Sequence, residues 1–440
     1  MWQIVVVLAA MVVAYAVAHW RKLSFEFCML ASATVGGLVG TCFSTPPLGQ
    51  LLRHLVEGSF TYLDVILVFT TATIFMAIVS ESGGVNYVVR SIIKNFYKAR
   101  FVVLFLLMMI IIIPGALTGA GSVSILTVGA PTALALGYLG ISKKRVAAIL
   151  FIVAGLSAAA PPVNIWAMVL TAGTAIPYVG FELPLGIPVL LLGTFSILVL
   201  GWKRESEMEL EEVLKDMPEV PAEMRFWRVL LPFLVFFGLV ISYRIWPFGT
   251  PILGLSLQFV LAGVVALLVS PVKINFLVLS RDTVKKLAPL LATMAIVGSL
   301  QQIMTVTGIR GLISFSVLSI PLAILFISLI FIIPISEGVL TYGGAAIIGI
   351  PLIWYLQSIG FHATVAIAGL TLLWPLGDGL PPTALIGRLS MMVSEYKGSY
   401  MSFIKATWLP WIVITTVGIL MVVFSSKLAF LVEWSVNYLS

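Results

Sequence analysis

Residues 111–131 read IIIPGALTGAGSVSILTVGAP, and residues 155–164 read GLSAAAPPVN. The fold turns on how these two stretches sit in a bilayer. The apolar run 101–113 is 13 residues long, about 20 Å as helix at 1.5 Å per residue. A hydrocarbon core of about 30 Å is too thick for it. Pro114, Gly115, Gly119 and Gly121 then remove a backbone donor and loosen the chain, and a second apolar arm, 125–138, follows. This pattern predicts a re-entrant hairpin over 101–138 with its tip inside the membrane. The next segment, 146–176, is long enough to cross but is interrupted at its centre by Pro161-Pro162. Broken backbone at that depth survives only where protein or a water-filled cavity supplies hydrogen-bond partners. Two neighbouring breaks therefore point to a polar site within the membrane.

The arrangement recurs 220 residues later. Pro114, Pro131, Pro161 and Pro162 are matched by Pro334, Pro351, Pro381 and Pro382, and Gly129 and Gly140 by Gly349 and Gly360. With proline at about 5% of residues, four such coincidences have a chance of about one in a thousand. The chain accordingly divides into repeat 1 (1–201; hairpin 101–138, broken helix 146–176), a linker (202–228) and repeat 2 (229–440; hairpin 321–356, broken helix 362–392).

Composition bounds the class. The chain has 440 residues, 60% hydrophobic and 10% charged, with a mean hydropathy of +1.14, which marks an all-α polytopic membrane protein. Cys28 and Cys42, too far apart along one helix to pair, support neither a disulfide framework nor a zinc site. With three histidines scattered at 19, 54 and 362, no metal centre or catalytic triad assembles in the sequence, so an enzyme is not expected. No cofactor is implied.

Further spans are expected over 2–18, 25–43, 62–79 and 183–201, then 229–246, 252–269, 287–306 and 406–424. Each repeat thus has five crossings and one hairpin. The stretch 2–18 lacks the preceding charge of a signal peptide and is read as a retained helix. Stretches 86–100 and 427–440 are amphipathic and expected along the membrane surface. An odd number of crossings per repeat makes the two repeats inverted. Assigning loops alternately to two sides places 21 of the 25 basic residues on one side, leaving Arg53, Arg244, Arg310 and Lys427 on the other. The rich side is the cytoplasm. The net charge of +7 is therefore a topology signal and not a nucleic-acid surface. Both termini are expected outside the cell (inner or plasma) membrane and the 202–228 linker inside.

Inverted repeats with matched broken helices are the sequence signature of secondary transporters, which bind substrate and coupling ion between the repeats. Half-helix N-termini favour an anion, and freed carbonyls can hold a cation such as Na+. Candidate groups at the first tip are Thr118, Gly121, Ser122 and Ser124, with Pro161, Pro162 and Asn164 at the first break. Small hydroxyl residues in membrane helices serve close packing just as readily. The second tip offers Ser336, Glu337, Thr341 and Tyr342, and the second break Asp378, Pro381, Pro382 and Thr383. Glu337 and Asp378 are the only acids expected near mid-depth, where function is the default reading; the alternative is a vestibule in which Glu337 is solvated. Arg388 is either a snorkelling anchor or an anion contact and partner to Asp378.

FMAIVSESGGVNYVVRSI (75–92), the GALTGAGSVSILTVGAP tip, LSAAAPPVNIWAMV (156–169) and GDGLPPTALIG (377–387) together resemble the large membrane subunit of TRAP transporters (DctM-like), in the ion-transporter superfamily. The likeness covers roughly residues 60–395. It implies Na+-coupled import of a small organic anion such as a carboxylate by an elevator movement. It also implies a small membrane subunit and an extracytoplasmic solute-binding protein as partners beside membrane lipid, and a homodimer is a further candidate assembly. The family's Ser-Gly-Ser-type tip is here Gly119-Ala120-Gly121-Ser122, its Ser after the first paired prolines is Val163, and its Val-Gly after the second is Thr383-Ala384. A self-sufficient one-component symporter or antiporter using Na+ or H+ is the alternative, and an ion channel a more distant one.

Overall fold

The computed structural model describes residues 1–204, 217–246, 249, 253–381 and 383–437. The acidic core of the linker, 205–216, and Pro382 lie outside these residues. The described residues are helical without strands, and seven helices are long and apolar enough to cross a membrane, eight if a pair bent by 57° (Tyr400–Ala406 and Trp408–Val423) counts as one span. The chain is an all-α polytopic membrane protein.

The proline register seen in the sequence is realised in the backbone. A single wide π-type turn spans Ile125–Gly129 in the first hairpin and Ala345–Gly349 in the second, 220 residues apart. Helices Ala130–Tyr138 and Ile350–Ser358 follow, each with proline in its first turn. The cause is the proline itself. Pro131 and Pro351 lack an N–H, and their rings press on the carbonyl four residues back, which opens the turn.

The hairpin arms differ from the sequence expectation. They do not stop at 113 and 333 but run through Pro114 and Pro334, over Arg100–Thr118 and Leu322–Leu340, 19 residues each. Close packing supports the helix past the missing bond. A Cβ at Gly115 would lie 1.8 Å from Ser157 Oγ, and one at Gly377 would lie 2.1 Å from the Pro334 carbonyl. The first arm ends at Gly119 in the left-handed region (φ +71°), where a glycine avoids the Cβ penalty. The tips are nonetheless buried inside the protein and meet one another: Tyr342 Oη donates to the Gly119 carbonyl at 3.5 Å. Arg100–Thr118, Gly121–Tyr138 and Leu322–Leu340 are each long and apolar enough to cross, so arm length does not support the re-entrant expectation.

The first broken helix comprises Lys143–Ala159 and Ile165–Thr174. The second comprises Ala363–Thr371, the turn Trp374–Gly377 and Leu385–Val393. They cross in antiparallel fashion, since the first half of each packs on the second half of the other. An ion pair fixes one end: Lys143 Nζ, at the start of the first, lies 2.8 Å from Glu395 Oε2, just past the end of the second. This is the packing that inverted repeats require.

Around this core stand the remaining helices. Phe276–Val306 packs on Phe25–Thr41, Leu48–Ser59 and Leu63–Glu81, and Leu255–Val269 packs on Leu63–Glu81 and Phe226–Ile245. Leu48–Ser59 was not anticipated, and its counterpart Phe276–Val306 starts well before the expected 287. Both carry charged or polar side chains in their outer turns, which masked the helix in a reading by hydropathy. Gly58 and Gly298 bring these two elements into backbone contact, a Cβ at Gly298 falling 2.2 Å from the Gly58 carbonyl. Such small-residue contact is how membrane helices approach closely.

Candidate functional site

Each break is tied to its own hairpin. The Val163 N–H donates to the Ala116 carbonyl (3.0 Å), and the Thr383 N–H (3.3 Å) and hydroxyl (3.0 Å) donate to the Gly338 carbonyl. Tip and break therefore lie at one level, and the two repeats bring both levels together at the centre.

There Glu337 is 1% exposed and Asp378 7%. Glu337 packs on Gly377, the residue before Asp378, a Cβ at Gly377 lying 2.6 Å from Glu337 Cβ. Trp166, from the half-helix of the opposite repeat, donates its indole N–H to Glu337 Oε2 at 2.9 Å and stacks obliquely on Tyr342, ring centroids 5.2 Å apart. Trp374 donates to Ser336 Oγ at 3.3 Å, and Ser336 in turn donates to the Ile333 carbonyl. The centre is thus two carboxyl groups held among aromatic rings. Among the described residues no three His, Cys, Asp or Glu side chains group as a metal site.

The other sequence candidates are placed differently from one another. Thr118, Ser124 and Asn164 are fully buried and engaged locally. Thr118 donates to the Pro114 carbonyl and Ser124 to the Ile111 carbonyl. Asn164 accepts from the Ala167 N–H and donates to the Ala159 carbonyl, both at 3.0 Å. Asn164 thereby caps one half-helix while closing the end of the other, which answers the backbone groups freed by Pro161-Pro162. Tyr178 completes this repair, donating to the Pro162 carbonyl and accepting from the Asn164 N–H, both at 3.1 Å. Gly121 is a close-approach position, a Cβ there lying 2.3 Å from the Ala154 carbonyl. Ser122 and Thr383 are half-buried and Pro381 is exposed. Thr341 takes a left-handed φ of +49° at the second tip, and its buried Oγ1 has no hydrogen-bond partner. Arg388 is exposed on the outer half-helix. Tyr400 donates to the Gly379 carbonyl, next to Asp378, at 2.8 Å.

Trp166 and Trp374 were missed by the sequence reading because they have no partner at the 220-residue offset. A signal existed: a buried indole N–H requires an acceptor, and Trp166 lies two residues from the capping Asn164.

No known family profile matches the chain, and no curated protein matches it in sequence. Among solved structures, the Alcanivorax borkumensis YdaH transporter, described as having an unusual topology, superposes with a TM-score of 0.58 at 14% identity, over 87% of this chain and 90% of that one. Neisseria gonorrhoeae MtrF, described within a class of antimetabolite efflux pumps, gives 0.57 at 14% identity, over 86% of this chain and 84% of that one. The fold is thus similar to that of membrane transporters, and the likeness does not single out the TRAP large subunit.

Proposed function

We propose that the chain is a secondary active transporter in which Glu337 and Asp378 hold the coupling cation, Na+ in the first instance, and the half-helix N-termini at Ile165 and Leu385 receive a small organic anion. One observation carries this reading. Two acids are buried in a membrane-spanning core, Glu337 packed against Gly377 next to Asp378, with a neutral indole N–H given to Glu337. Leaving both as bare anions there is costly, and a bound cation removes the cost. The unpartnered Thr341 Oγ1 at the same tip is a further oxygen for that cation. The anion site follows from the dipoles of the two half-helices that begin at the breaks.

In this reading the two hairpins and broken helices move as one elevator body against the remaining helices. The basic-rich loops face the cytoplasm and both termini face outward. The TRAP-like form of the proposal imports the anion with a separate small subunit and an extracytoplasmic binding protein; the one-component form needs neither. A second reading, export driven by protons, draws on the fold likeness to MtrF and uses the same carboxyl pair.

Transport of labelled organic acids by the purified chain in liposomes tests this, with Na+ and pH gradients imposed separately in each direction. A gradient-dependent flux that disappears in both Glu337→Gln and Asp378→Asn is expected. Passive conductance that ignores either gradient, or flux unchanged in both variants, would contradict it.

A further inference from the structure

An apolar cavity of about 480 Å³ lies away from the carboxyl pair. Its walls come from Met76 and Val85 on one side, Ile113 of the first hairpin arm and Pro161 of the first break on another, and Val189 and Phe233 on the third. It opens between Leu190, Leu234 and Phe237, which are 40%, 56% and 43% exposed. At membrane depth such exposure faces hydrocarbon, and water has no polar partners in a cavity of this lining. At the start of helix Phe226–Ile245, one turn from the wall residues Val229 and Leu230, stand Arg225, Trp227 and Arg228. Arg225 and Trp227 are exposed. Among the described residues, Arg228 approaches the exposed Glu223 (3.9 Å) and lies over the Trp227 ring, while its Nε is buried without a hydrogen-bond partner there. Basic groups above an apolar cleft, flanked by an interfacial tryptophan, complement a phosphate with its acyl chain.

We propose that this cavity is a binding site for one anionic phospholipid, its acyl chain wedged between the first break and helix Phe226–Ile245 and its phosphate against Arg225 and Arg228. The lipid then fills the seam between the first hairpin and the helices around it, where an empty crevice would forfeit contacts on both sides. Arg228 Nε gains the acceptor it lacks among the described residues.

Gly186 provides the test. It lines the cavity within a helix, and a Cβ there meets only Pro161 Cγ at 3.6 Å, an ordinary contact. Gly186→Leu therefore projects into the space without a backbone clash. Wild-type protein carried through detergent washing should retain one phosphatidylglycerol per chain by native mass spectrometry, and Gly186→Leu should lose it. Arg228→Gln should still take up lipid but no longer prefer phosphatidylglycerol over phosphatidylcholine. In wild-type protein, a phosphatidylglycerol with a photoreactive acyl chain should cross-link within 109–117 and 229–237, a measurement independent of whether the variants fold. Equal retention in wild type and Gly186→Leu, retention indifferent to headgroup, cross-links confined to other helices, or recovery of an apolar small molecule in place of lipid would overturn the proposal.

Discussion

Glu337 and Trp166 come from opposite repeats and meet at 2.9 Å, so the most buried acid among the described residues depends on a residue 171 positions away. Trp166→Phe keeps an aromatic ring, though a smaller one, and removes the donor. Leaving a buried carboxyl oxygen short of one hydrogen bond costs about 1–3 kcal/mol, and the variant should melt at lower temperature in Na+-free buffer. An unchanged melting temperature would show that the bond contributes nothing to the folded state. At the neighbouring carboxyl, Asp378→Asn removes charge at nearly constant volume. If the pair links cation to substrate, the cation's effect on substrate affinity, about 5–150-fold for linked sites, should collapse toward none when titrated by calorimetry. A variant that keeps the full effect would remove Asp378 from the coupling role.

Among the elements, the seam between the first hairpin and the first broken helix is the tightest. Gly115 faces Ser157 with no room for a methyl group, the Ser157 Cβ lying only 2.5 Å from where a Cβ at Gly115 would sit. Gly115→Ala should therefore cost about 1–3 kcal/mol through overpacking, and adding Ser157→Gly should recover most of it. Failure of the double variant to recover, measured by thermal unfolding in detergent, would place the strain elsewhere. Prolines made these elements legible before any coordinates. Pro131 and Pro351 act on the backbone locally, so their spacing survives in the structure as paired π-type turns. Pro114 and Pro334 were misleading for the same reason. The local penalty is real, but tertiary packing through Gly115 and Gly377 overrides it, and that packing is not written in a proline count. The site was half legible. Glu337 and Asp378 stand out because acids are rare at that depth, whereas Asn164 and Ser124 proved to be engaged with nearby backbone, a choice between partners that only the folded chain decides.

For the molecule as a whole, the antiparallel crossing of the broken helices is pinned at one end by Lys143 and Glu395. The hydrogen bond and charge of Lys143, with a smaller contribution from Lys397, hold the Glu395 carboxyl below its ordinary pKa. A depressed carboxyl stabilises the fold above its unfolded value, about 4.3 for Glu, and loses that contribution as pH falls through the folded value. Both side chains are exposed, so the effect is small and screened by salt. Wild type should exceed Glu395→Gln in melting temperature at pH 7 and low salt, and the difference should shrink as pH falls through the depressed folded value, or at high salt. A difference that is as large in high salt as in low would mean that the pair is not its source. The central claim, that the carboxyl pair between the inverted repeats binds the coupling cation, is tested most directly by thermal stability of the purified chain in Na+ against a large organic cation, at several pH values. A ligand of the folded state raises apparent stability by mass action. The wild-type melting temperature should rise with Na+ and that of Glu337→Gln/Asp378→Asn should not; an equal rise in both would contradict the account.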